Sequence, residues 1–289
     1  MKIIWRFKNI DRRVIFLFIA LSVVIPLIFN ITFTEKASPI VKNIFDKIES
    51  LPEGSRVLVS LDYGPSTFPE IQPMTNALIR HLNERKMKIY YMCLWATGQN
   101  LTTYTVDSVQ VREFPDRRYG IDYVNLGYKA GNEGLINVLL TDMKKMYSTD
   151  VHGTFIDDIE MMRALRNLTG FDLIISLGGG SPGIKEWVLF AGDPGNIPVA
   201  GGSTAVQAPL LYPYWPNQLV GLMGGIKGAA EYESELKKHY RVYENRSQPG
   251  IKMMGPQAIA HIVIMLFIII GNITFFVERS LAERGRVHG

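Results

Sequence analysis

The run Phe171–Trp187, FDLIISLGGGSPGIKEW, holds residue types and spacings that serve two different chemistries. From Gly178 the letters fit G-x-G-x-x-G, in which glycines let backbone amides approach a pyrophosphate at a helix N-terminus. From Gly179 they fit G-x-S-x-G, in which a serine on a strand-to-helix turn attacks a carbonyl. Ser181 would be that nucleophile.

The surrounding residues weigh against both. In a nucleophile elbow the residue after the serine donates its N–H to the oxyanion. That residue is Pro182, which has none. Asp193 and His239 follow in a suitable order, but without supporting motifs. A dinucleotide turn belongs to the first βα unit and needs an acid ending the next strand. Here the next apolar run ends in VAGGST. The stretch DLIISLGGGS also resembles the cofactor-binding turn of iron-dependent alcohol dehydrogenases, which implies a nicotinamide cofactor and metal-binding histidines. That family continues with an Asp-Thr-Ala-Lys-like run where this chain has PGIKEW, and His81, His152 and His239 are widely scattered. The residues read most simply as a strand end and a capped helix, with Ser181 as N-cap and Pro182 in the first turn. An anion still has room on the amides of Gly183 and Ile184. No cofactor is expected.

Other chemistry-bearing groups are few. FIDDIE brings Asp157, Asp158 and Glu160 together, which reads as a helix start with acids in its first turn rather than as a metal site. Asp62, ending the run RVLVSLDY, is the best single candidate for a functional carboxylate. Cys93 is the only cysteine, which excludes an internal disulfide and a cysteine metal site.

These groups need elements to position them. Runs 56–63, 88–95, 121–128, 171–177 and 196–202 read as strands, and 69–86, 132–147, 157–168 and 218–240 as helices. The alternation predicts a three-layer, doubly wound α/β domain with a mostly parallel sheet of about five strands. Ligands in such sheets bind beyond the carboxyl ends of the strands. The segments landing there nominate Asp62, Thr97, Asn132, Gly179, Gly180, Ser181, Gly202 and Ser203 as a polar-ligand set.

Two charge-free apolar runs flank this domain, Val14–Ile31 and Ala258–Val277, each near the roughly 20 residues that cross a bilayer. No small-x-small cleavage site follows the first, so it reads as an uncleaved anchor. The expected organisation is a tail (1–13), a transmembrane helix (14–31), a stalk helix (32–54) and an α/β domain (55–245). A linker (246–256), a second span (257–277) and a tail (278–289) follow. The tails hold eight basic and three acidic residues of the chain's 31 and 27, so the body between is near neutral. Basic tails belong in the cytoplasm, which places the body outside it. A neutral body also gives no reason to expect nucleic acid.

The segment 208–233 interleaves Tyr212, Tyr214 and Trp215 with prolines, then carries Gly221, Gly224, Gly225 and Gly228 in the expected helix. Glycine costs about 1 kcal/mol per helix position relative to alanine, so close packing by another helix is expected to offset it. With the lipid bilayer, that surface predicts a non-enzymatic scaffold subunit in a homo- or hetero-oligomeric membrane assembly. The alternative is a small-ligand sensor using the strand-end turns.

Overall fold

β1 (Arg56–Asp62) is buried along nearly its whole length, as a central parallel strand covered on both faces must be. The computed structural model describes residues 11–33 and 35–287; the tail residues 1–10 and 288–289 lie outside the described residues. Helix α1 spans Arg12–Ile28 and α2 Pro39–Ser50. After β1 come α3 (Phe68–Glu84), β2 (Lys88–Cys93) and α4 (Gly98–Thr105), with α4 widening into a π turn over Val106–Val111. β3 (Tyr123–Tyr128), α5 (Asn132–Thr141) and β4 (Leu173–Gly178) follow. α6 (Ile184–Trp187), β5 (Val199–Ser203), β6 (Leu222–Gly224), α7 (Gly225–His239) and α8 (Pro249–Val287) complete the chain.

All strand pairs are parallel, in the order β3-β2-β1-β4-β5-β6. The sheet therefore reverses direction between β1 and β4, the doubly wound arrangement. Side chains alternate along β1: Val57, Val59 and Leu61 enter the core under α2, α3 and α7, and Leu58 enters the core under α5 and α6. Asp62 shares the second face. On the first face, His81 is fully buried between Tyr232 Oη (2.6 Å) and Glu49 Oε1 (3.0 Å), and Phe45 stacks on it at 4.3 Å.

Three expectations need correction. The sheet has six strands, because residues 218–240 are not one helix: β6 occupies Leu222–Gly224 and the helix begins at Gly225. Gly221 and Gly224 are therefore not helical, and the cost assigned to them does not arise. The close neighbours of all four glycines belong to this chain. Gly221 admits the Ile40 carbonyl and Ile44 of α2, Gly224 faces Ala208, and Gly228 packs on the backbone of Met223. Gly225 has φ +60°, which explains a glycine at the first helical position. Second, residues 157–168 form only short helical turns, at Ile156–Asp158, Glu160–Arg163 and Leu168–Gly170. Third, of the two expected spans, only Pro249–Val277 is a described helix long and apolar enough to cross a membrane. α1 has 17 residues, about 25 Å against a hydrocarbon core of roughly 30 Å.

Residues 34–251 form one compact unit. Both its ends are fastened to α7. Ser38 caps α2 through its backbone and gives its own N–H to Glu231 Oε2 at 2.9 Å. The first amides of α8, Gly250 and Ile251, donate to the buried Glu233 carboxylate at 3.1 and 2.9 Å. Burial pushes the Glu233 carboxyl up to about 7, against the pull of those two amides. The expected linker 246–256 is thus helical from Pro249. In the second unit, from the described parts of 1–33 and 252–289, Phe18 meets Phe267 edge-on at 6.1 Å. There Gly255 also admits the Ile31 carbonyl.

A methyl at Gly221 would collide with backbone rather than with a movable side-chain tip. Gly221→Ala is expected to lower stability by roughly 1–3 kcal/mol, read as a fall in Tm. A variant as stable as the parent would contradict the α2–β6 packing.

Candidate functional site

The crevice where the sheet reverses, beyond the carboxyl ends of β1 and β4, is where a ligand is expected. Asp62 sits beneath it, fully buried. Its carboxylate accepts from Leu94 N (2.7 Å), Ser60 Oγ (2.8 Å), Trp187 Nε1 (3.1 Å) and Ser176 Oγ (3.3 Å). Its carbonyl accepts from Gly179 N at 2.9 Å. One residue thus joins the ends of β1, β2 and β4 to α6. Burial outweighs the four donors and raises the carboxyl to about 6. Asp62 is a tie between loops, with its carboxylate wholly below the surface of the crevice.

The glycine turn is packed against its neighbours. A Cβ on Gly179 would lie 2.6 Å from Thr67 Oγ1 of the β1–α3 turn. One on Gly180 would lie 3.0 Å from the Trp95 ring, whose Nε1 donates to the Pro182 carbonyl at 2.7 Å. These glycines admit this chain's own side chains. The helix also starts later than expected: Gly183 is the N-cap and Ile184 the first helical residue. Glu186 Oε2 accepts from Gly183 N and Glu186 Oε1 from Ser181 Oγ, both at 2.8 Å. A carboxylate already occupies the place proposed for an anion. Ser181 and Pro182 stand before the cap and do not form it.

Of the remaining nominated residues, Thr97 shares a shallow hollow with Ser181, and Gly202, Ser203 and Asn132 do not line it. Gly202 and Ser203 are buried, with Gly202 against Met74 and Leu177 and the Ser203 hydroxyl donating to the Thr204 carbonyl at 3.3 Å. Thr97 is exposed beside Gly64. Asn132 opens α5 beyond β3, two strands from β1, or about 10 Å across the sheet. The hydrolase set is not assembled either. Asp193 accepts from Gln218 at 2.6 Å near the amino end of β5, and His239 Nδ1 meets the Glu235 carbonyl at 2.9 Å on α7. Among the acids of FIDDIE, Asp157 pairs with Lys144. No group of three metal-ligating side chains is present among the described residues.

Two hollows remain at this end. One of about 140 Å³ is lined by Ser181, Ile184, Glu186, Gln207, Leu210 and Leu211. A shallower one of about 290 Å³ lies over Leu94, Trp95, Ala96 and Thr97, against Ser181 and Pro182. Of the aromatic segment, Tyr214 packs half-buried on the core. Trp215 is also half-buried and faces the Asn43 amide at 3.2 Å in the orientation that satisfies both groups. Tyr212 is 50% exposed.

Sequence reasoning missed Glu186, Trp187, Trp95 and Thr67. Only Glu186 had a local signal, an acid three positions after a possible N-cap. The comparisons add no identity: the chain matches no family model and no curated protein.

The raised carboxyls set a pH dependence. Asp62 rises from 3.8 to about 6 and Glu233 from 4.5 to about 7, so the folded chain holds protons that the unfolded chain has released. Stability is then highest below the unfolded values and falls as pH rises through the folded ones. These two groups contribute a fall in Tm between about pH 4 and pH 7, opposed near the upper end by His81, whose pKa burial lowers, and Asp62→Asn should remove the Asp62 part of that fall. An unchanged pH profile in Asp62→Asn would contradict the burial of this carboxylate.

Proposed function

We propose that this chain is a membrane-anchored subunit whose α/β domain acts as a structural scaffold and not as a nucleotide-dependent enzyme. One observation carries the reading. Glu186 takes the amide and hydroxyl that a phosphate would need, so an anion at this turn would meet like charge. Thr67, Trp95 and Trp187 fill the adjoining space. The Pro249–Val277 helix supports the anchor. The basic tails support an extracytoplasmic placement of residues 34–251.

A sensor role is a second reading, favoured by the convergence of Ser181, Glu186 and Gln207 on the 140 Å³ hollow. Binding pockets for drug-sized ligands run to roughly 300–1,000 Å³, so the ligand would have few atoms.

The detergent-solubilised chain separates these readings. NAD, NADP, ATP and inorganic phosphate at millimolar concentration should leave Tm unmoved, since only binding to the folded state raises it. A saturable rise with any nucleotide, abolished by Gly180→Trp, would overturn the scaffold reading.

A further inference from the structure

The β5–β6 connection carries the two most exposed large apolar side chains among the described residues of the α/β unit, Val206 and Leu210, with Tyr212 beside them. Val206 is 87% exposed, Leu210 73% and Tyr212 50%. They stand on a stiff support. Ala208–Leu211 forms a helical turn with Pro209 in its first positions, and Tyr212–Tyr214 continues as a 3-10 turn containing Pro213. Leu211, Tyr214 and Ala208 anchor the segment in the core beneath. The backbone that carries Leu210 and Tyr212 is therefore held in place and would lose little freedom on being covered.

The location of this ridge identifies what covers it. The Tyr212 hydroxyl lies 3.8 Å from where a Cβ on Gly224 would be, at the start of α7. Two turns along α7, Glu231 holds Ser38, where the chain enters the unit. Glu233 holds Gly250, where it leaves. The distance along the helix from Gly224 to Glu231 is about 10 Å. The entry point is thus held about two turns, and the exit point about two and a half turns, along α7 from the end that the ridge packs against. Lysines flank it: Lys185 is exposed on the rim of the hollow that Leu210 and Glu186 also line, and Lys227, its side chain 60% exposed, is paired with Glu231 at 2.8 Å. Aliphatic tips, a half-exposed tyrosine and flanking lysines are the composition of a surface that dips into lipid headgroups.

We propose that the Val206–Leu210–Tyr212 ridge inserts into the headgroup region of the bilayer, seating the α/β unit on the membrane surface. The proposal rests on the membrane-anchored reading and adds a second, monotopic contact to it. It leaves Phe155, 65% exposed, in water. That residue lies on the 149–155 turn that bonds to edge strand β3, at the opposite edge of the sheet from β6.

The test uses the full chain in phosphatidylcholine–phosphatidylglycerol vesicles with single environment-sensitive labels. These are placed by Val206→Cys, Leu210→Cys, Phe155→Cys and Ile262→Cys, the native Cys93 being buried. All four positions are exposed, so the labels do not disturb packing. The expected result is loss of emission at 206 and 210 with headgroup-level spin-labelled lipid. The label at 262 should lose emission only with a deep quencher, and the label at 155 should be unaffected. If 262 is quenched but 206 and 210 behave like 155, the ridge proposal fails and the anchor stands. If 262 is not quenched, the anchored reading fails and the ridge proposal fails with it.

Discussion

The arrangement depends on one buried carboxylate. Asp62 takes donors from its own strand, from the ends of β2 and β4, and from the first helical turn after β4. A buried charge without partners is costly, and each unsatisfied donor left by its removal would cost about 1–3 kcal/mol. The four donors hold the β1, β2 and β4 loops at fixed spacing. That spacing brings Thr67 onto Gly179 and the Trp95 ring onto Gly180. The glycines that resemble a phosphate-binding turn are needed because neighbouring side chains press on the backbone there. The sheet order of a dinucleotide-binding fold is thus combined with a crevice that its own residues narrow to two small hollows.

A second constraint works at the junction with the apolar helices. α7 offers Glu231 to the start of α2 and Glu233 to the start of α8. Each carboxylate satisfies amides at a helix start and meets the positive end of its dipole. Both ends of the α/β unit are therefore fixed on one helix.

Most of the fold was legible in the sequence because parallel strands buried on both faces leave continuous apolar runs such as VLVSL and LIISL. β6 was not. It has three residues, and its Leu222 and Met223 fall in phase with the helix that follows. The positive φ of Gly225, which separates the two, is visible only in the backbone. The candidate site was legible as a location and misread in its chemistry. Asp62 ends a strand, as catalytic acids do, but its burial depends on Trp187, 125 residues away in the chain. Ser181 and Pro182 have the types of a cap, yet Glu186 recruits Gly183 instead. Long-range hydrogen bonds decided these cases, and no local pattern reports them.

The claim most open to direct test is that the crevice is closed around Asp62 in the folded protein. Nitrogen-15 spectra of the tryptophan indoles, followed through hydrogen exchange, address it at the Trp187 Nε1–H itself. The account predicts that this proton exchanges only with global unfolding and keeps its shift in millimolar nucleotide. Exchange through local opening, or a shift on adding nucleotide, would mean that the crevice opens to ligands and would contradict the account.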